Sequence, residues 1–453
     1  MVDPGVVTVT RTSRNRIVCV LSAFIAVGVL GGCGGGGSGG QRMAPDDGNP
    51  ASPPSGDTVA DTSPFVPAAP YAGVLRTCAY AGDATQACTL DTLPFLGMEL
   101  TDPGINDVLE RTLVSHRWMG TNLQRALELL PADVLPLFRS ITAVVIASDV
   151  RPAHYDPDTG AIYLDPDFLW LSVAERDTVS TEPDPRSGFG LDLQFQMPWR
   201  YVRDNQRLTV FINQDGSRDL SQIIEIMAYL LYHELAHAVD FMPPDRLATL
   251  SGNQRVPEAL EQEPPLSTSF QGEQPLHSTL LKQLAAVSFR GVSSTAEQRS
   301  LQPEDLVSPF VDDGAVQYYA YTSQFEDFAV LFESAMMKWH FGYDKDTAIT
   351  NRPASGGSDA AVVAWGTRGR LGEQPVYYRA LGVGQRIYPG DLAAFEAFLL
   401  AEPDPPPRMQ TGQTWGQNLT LAPPGSATVT VSPTGTDKSG RTPDYFLERV
   451  LIH

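Results

Sequence analysis

The residues best suited to chemistry in this chain are His233, Glu234 and His237, two histidines four apart with a glutamate between them. They stand in the run Tyr232-His233-Glu234-Leu235-Ala236-His237-Ala238-Val239. On a helix, a spacing of four brings both imidazoles to one face, where two neutral nitrogens converge on one metal ion. Glu234 lies beside them, placed to take a proton from a metal-bound water and pass it to the leaving nitrogen of an amide. Residues 228–239 hold no Pro, no Gly and no charge except Glu234, so their helix is expected to be buried. The chain has only 7 histidines, and two at this spacing around a glutamate are hard to assign to ordinary core packing. The other five, His116, His154, His277, His340 and His453, have no partner at ligand spacing and are assigned no role.

A catalytic zinc keeps three protein ligands and one open position, so a third ligand is needed. Residues 238–243 read Ala-Val-Asp-Phe-Met-Pro, without the glycine and third histidine that extend the motif in some metal sites. The ligand must come from further along. The apolar run 323–333, Ser-Gln-Phe-Glu-Asp-Phe-Ala-Val-Leu-Phe-Glu, contains an acidic pair. An unpaired buried carboxylate is costly, and coordinating zinc removes that penalty, so Glu326 is expected as the third ligand. Asp240, three residues past His237, either orients an imidazole by accepting its other N–H or is a solvated acid at the helix end. Asp327 has a similar claim to orienting an imidazole.

His-Glu-x-x-His followed by Glu326-Asp327-Phe328-Ala329 resembles the gluzincin arrangement of the zincin metallopeptidases. It is also similar to the lethal-factor-like metallopeptidases, in which a tyrosine shortly before the third ligand helps stabilise the oxyanion. By that resemblance the role falls to Tyr319, with Tyr321 next. The resemblance implies an α+β, zincin-like fold: a small mixed sheet packed on the active-site helix, with a mainly helical second half. It implies Zn2+ as cofactor and peptides or proteins as substrates. It also implies that residues 142–147 or 161–164 form the sheet edge that pairs with an extended substrate. Two other readings stay open: a lipid-anchored binding or assembly protein with a structural or vestigial zinc, and an amide hydrolase acting on cell-wall material.

The elements that must position these groups are partly visible in the apolar pattern. Residues 220–241 have helical character, and 102–130 have the period of two amphipathic helices. Residues 141–147 and 161–164 are strand-like, 183–207 and 344–374 read as irregular, and 389–400 as an apolar helix. At the N-terminus, Arg11, Arg14 and Arg16 precede an apolar run at 17–30, a basic-then-apolar export signal too short to span a bilayer comfortably. It ends in Leu30-Gly31-Gly32-Cys33, which resembles the bacterial lipobox and so implies a lipidated Cys33 that holds the protein to a membrane of the cell envelope. The expected organisation is a signal peptide at 1–32, a flexible tether at 33–70, a metallopeptidase domain at 71–400, and a Pro-rich break with short strands at 401–453. Cys78 and Cys88 are then the only cysteines left in the body and are expected to pair in an oxidising compartment. The formal charge of -21 disfavours nucleic acid as a partner.

Overall fold

The computed structural model describes residues 61–208, 216–355, 357–402 and 405–421. Its architecture is mixed α+β, with two small sheets and a larger helical content.

The first sheet contains β1 (Ser63–Pro64), β2 (Thr112–Val114), β3 (Val144–Ile146), β4 (His154–Asp156) and β5 (Ala161–Leu164) in the order β1-β2-β3-β5-β4. The three central strands are parallel, with Val144 opposite Ile162 and Ile146 opposite Leu164, and β1 and β4 flank them antiparallel. Continuous apolar runs suit such strands because both faces are covered. Val144, Ile146, Ile162 and Leu164 face the main core, which includes the helix Ser221–Phe241. Val145, Ala161 and Tyr163 face the other way, against Leu75, Cys78 and Ala79 of the helix Ala72–Ala79. Cys78 and Cys88 are joined as a disulfide, as expected.

The second sheet is antiparallel, built from β6 (Phe195–Gln196), β7 (Trp199–Arg203), β8 (Gln206–Arg207), β9 (Asp344–Asn351) and β10 (Val363–Arg368). Trp199 and Tyr201 of β7 reach the main core. The motif helix Ser221–Phe241 is therefore packed between elements of both sheets and the helix Gln324–Phe341, and every residue from Ile226 to Phe241 is buried. It ends at Met242 before Pro243 and Pro244, which cannot continue the hydrogen-bond ladder. The helix Gln324–Phe341 starts at Ser323, whose hydroxyl accepts the Glu326 N–H at 3.2 Å, and stops at Gly342, whose φ of 70° suits glycine.

The structure departs from the sequence expectations at several places. Both strands expected at the sheet edge are internal, and the edge strand nearest the motif helix is β4. Within 102–130, β2 separates two short helices, Ile105–Glu110 and Arg117–Leu127, because Thr112, Leu113 and Val114 pair with β3. Residues 195–207 and 344–368, read as irregular, form the second sheet, while the second half of the chain is mainly helical among the described residues, as expected. Their pattern is obscured by buried charges: Asp346 on β9 is paired with Arg200 at 2.9 Å and Arg368 at 2.6 Å. Folded structure begins before residue 71, with Phe65 in the main core and β1 on the sheet. It also continues past residue 400, where Met409 and Trp415 pack against Ala348 and Val363. Cys33, the signal segment, residues 33–60 and the part of the expected C-terminal strand region beyond residue 421 lie outside the described residues. Among the described residues no helix is long and apolar enough to cross a membrane.

Candidate metal centre

The buried motif helix presents His233 and His237 one turn apart, and the first turn of the helix Gln324–Phe341 brings Glu326 against them. His233 Nε2 lies 3.3 Å from His237 Nε2, Glu326 Oε2 lies 3.2 Å from His233 Nε2, and Glu326 Oε2 lies 3.5 Å from His237 Nε2. Ligands held about 2.0–2.1 Å from a tetrahedral zinc stand roughly 3.3 Å apart, so this triangle has the size that such an ion requires. Glu326 Oε2 is buried and faces both rings without well-aligned hydrogen-bond geometry. Donor atoms that crowd together in this way fit a cation better than they fit one another. Among the described residues, His233, His237 and Glu326 form the only such cluster.

Burial disfavours charge on Glu326, but the imidazoles of His237 and His233 outweigh it and hold the carboxyl well below its usual range. The helix N-terminus adds a favourable field for that carboxylate. Burial also opposes charge on His237, yet Glu326 outweighs it and raises the ring's pKa, whereas burial wins at His233 and lowers it. Glu234, 2% exposed, is pushed up to about 8, chiefly by burial, with Glu326 adding to the rise. Its Oε2 has no hydrogen-bond partner, and the backbone N–H of Tyr155 on β4 reaches its carboxylate. Tyr319 sits in a buried 3-10 turn, Tyr318–Tyr321, with its phenol against Glu326. Burial, then Glu326, raises it well above the usual tyrosine value. Tyr321, the second candidate, faces Asp313 and Arg370 instead.

The groups behind the imidazoles differ from the expectation. Asp327 does not orient a histidine: its Oδ1 accepts from Arg379 Nη1 at 2.9 Å, and its Oδ2 accepts from Arg379 Nη2 and from Gln271. A helical neighbour of Glu326 points about 100° away around the axis, which explains the miss. Asp240 is fully buried rather than solvated, accepts the Ser267 N–H at 2.6 Å, and acts electrostatically on His237. Burial pushes it up to about 7. Glu333, given no role from the sequence, stands two turns beyond Glu326 on the same helix face. Its Oε2 lies 3.6 Å from His233 Nδ1, while its Oε1 accepts from Lys345 at 2.8 Å and from Tyr201. The seven-residue interval from Glu326 was the available signal. Arg186, on the loop between β5 and β6, was also missed. Its charge acts on Tyr319 and Glu326, and nothing local in the sequence marks it.

Comparison with family models, with curated proteins and with solved structures returns no match for this chain.

Proposed function

We propose that this chain is a zinc-dependent peptidase of zincin-like fold, with zinc held by His233, His237 and Glu326. The observation that carries the reading is the buried triangle of two imidazole nitrogens and one carboxylate oxygen, with edges of 3.2–3.5 Å, beside Glu234. A zinc ion held there supplies Lewis acidity, making a water nucleophilic near neutral pH and polarising a carbonyl. The chain's own groups do the rest. Glu234, with a free oxygen and a carboxyl raised by burial, takes the water's proton and delivers it to the leaving nitrogen. Tyr319 donates to the carbonyl oxygen as negative charge develops on it. The strand β4 ends the sheet beside the motif helix, where an extended peptide would add to it, and the Tyr155 N–H on that strand reaches Glu234. Lipidation at Cys33 would tether this activity to a membrane of the bacterial envelope.

A structural zinc is closed by four protein ligands, whereas three gather here among the described residues, which favours a catalytic site over a structural one. The test is metal analysis of the purified protein and its His237→Ala and Glu326→Ala variants, with hydrolysis assayed on an unstructured protein and on cell-wall fragments. One zinc in the parent, lost in both variants, together with cleavage of the protein that chelation stops, is expected. Absence of zinc from the parent sinks the reading, and cleavage of cell-wall fragments alone replaces it with an amide hydrolase of a different substrate class.

A further inference from the structure

Tyr319 and Glu326 stand on one stretch of chain, and a single side chain from elsewhere in the fold holds that stretch at both ends. Arg379 lies on the helix Gln374–Ile387, with its side chain 5% exposed. At the near end its Nη1 donates to Gly314 O at 3.0 Å. At the far end Nη1 donates to Asp327 Oδ1 at 2.9 Å and Nη2 donates to Asp327 Oδ2, the two-point match of a guanidinium to a carboxylate. Nε donates to Gln274 O at 3.0 Å, just past the helix Leu266–Glu273, and the guanidinium lies over the Phe270 ring of that helix, 5.0 Å from its centroid. Gly314 leaves room for this side chain: a Cβ there would stand 2.6 Å from Arg379 Cδ and displace it.

Glu326 belongs to the first turn of the helix Gln324–Phe341, and the leading N–H groups of a helix have no acceptor within it. Ser323 Oγ accepts the Glu326 N–H at 3.2 Å, and regular bonding starts only at Asp327, whose N–H donates to Ser323 O at 3.1 Å. A helix frays from such a turn, and Glu326 moves with it. Asp327, the next residue, supplies a sideways hold through Arg379 and through Gln271, whose Nε2 donates to Asp327 Oδ2. The turn Tyr318–Tyr321 lies between Gly314 and this hold, so both of its flanks are tied to one guanidinium. Arg370 grips the same stretch at Ala315 O, 2.6 Å away, and at Asp313 O, 3.1 Å away, but its other bonds go to Phe310 O and Glu373 rather than to the ligand helix. We propose that Arg379 is a positioning residue of the metal centre: by closing residues 314–327 it holds Glu326 against the two imidazoles and fixes the turn that carries Tyr319. This rests on the peptidase reading above. A lysine in its place would keep the charge for Asp327 but not the fork that reaches both ends.

The test compares the parent chain with Arg379→Gln, Arg379→Lys, Gly314→Ala, the double variant Asp327→Asn/Arg379→Gln and, for contrast, Arg370→Gln. Three quantities are read on each: zinc Kd by competition with a chelator, the visible spectrum of the cobalt-loaded protein, and the urea midpoint of unfolding. Groups that support a metal ligand are worth about 10–100-fold in affinity, so a rise of about tenfold in zinc Kd, with altered cobalt bands, is expected in Arg379→Gln. The double variant leaves no stranded carboxylate, so it should regain much of the midpoint while zinc Kd stays raised. Arg379→Lys should likewise recover the midpoint more than the affinity. Gly314→Ala displaces the arginine without changing any charge and should raise zinc Kd in the same direction. Arg370→Gln should lower the midpoint with zinc Kd near the parent's. If zinc Kd in the double variant returns with the midpoint, or if Arg370→Gln raises it as much as Arg379→Gln does, Arg379 supports the fold alone and the proposal falls. A parent that binds zinc and cleaves peptide, with zinc Kd and cobalt spectrum unchanged in Gly314→Ala and in the Arg379 variants, overturns the proposal and leaves the peptidase reading intact. A parent that binds no zinc sinks both.

Discussion

Glu333→Gln should damage the protein in two separable ways. Glu333 is completely buried, 2.8 Å from the ammonium of Lys345, which is itself 3% exposed. Removing one member of a buried pair costs about 3–5 kcal/mol because the other charge is stranded. Burial already lowers the pKa of Lys345, so the amine can give up its proton, which puts the expected loss near the lower end, about 3 kcal/mol. Independently, Glu333 Oε2 lies 3.6 Å from His233 Nδ1, the nitrogen opposite the one that faces the metal position. Losing a carboxylate behind a ligand histidine weakens metal binding about 10–100-fold, or about 1.4–2.7 kcal/mol. Urea unfolding reads the first effect, and zinc competition against a chromophoric chelator reads the second. The variant Glu333→Gln/Lys345→Met removes the stranded charge and should regain most of the stability while leaving zinc binding weak. If Glu333→Gln holds zinc as tightly as the parent, Glu333 does not support His233. If the double variant is no more stable than the single one, the buried pair is not the source of the loss.

Tyr319→Phe should lower kcat by about 10²-fold with zinc content unchanged, since only a donor to the oxyanion is lost, whereas Tyr321→Phe should leave kcat unaltered because that ring faces Asp313. Equal effects in steady-state kinetics on both variants would defeat the assignment. Replacing Cys78 and Cys88 together by Ala should reduce unfolding free energy by about 2–3 kcal/mol, the value for a disulfide closing a loop of this length, as their separation is 10 residues. A loss below about 1 kcal/mol in denaturant titrations would show that packing of the helix Ala72–Ala79 against the sheet holds this segment without the cross-link.

What the sequence disclosed and what it hid divide along one physical line. His233, Glu234, His237 and Glu326 could be read because helical periodicity is local: a spacing of four, or a carboxylate in an apolar run, states its own geometry. The disulfide followed from having only two cysteines left in the body of the chain. Sheet order is not local, so the edge strand was misplaced; β4 is at the edge only because β5 inserts beside β3. The second sheet was hidden for a related reason. Lys345 and Asp346 look like loop residues until Glu333, Arg200 and Arg368 arrive from other elements to pair with them. Arg186 was least legible of all, since its position depends on a strap held by Arg151 and Arg352.

Charge balance gives an independent reason to place a cation among these groups. Around the two imidazoles the fold buries Glu234, Glu326, Glu333 and Asp240, and it buries Asp184 on the loop between β5 and β6. Lys345 answers Glu333 and Arg186 answers Asp184, which leaves Glu234, Glu326 and Asp240 without a Lys or Arg ion pair among the described residues. Buried carboxylates in this position cost free energy that well-packed apolar side chains of similar volume would not, so a scaffold without a further partner gains nothing by keeping them. In the protein alone His237 and Glu326 face each other at 3.5 Å and each favours the other's charged form, which raises the ring and lowers the carboxyl. A single proton answers one carboxylate and leaves the second imidazole's lone pair facing the same point. A divalent ion answers both, which is why the histidines and Glu326 are read as ligands and not as a buried ion pair.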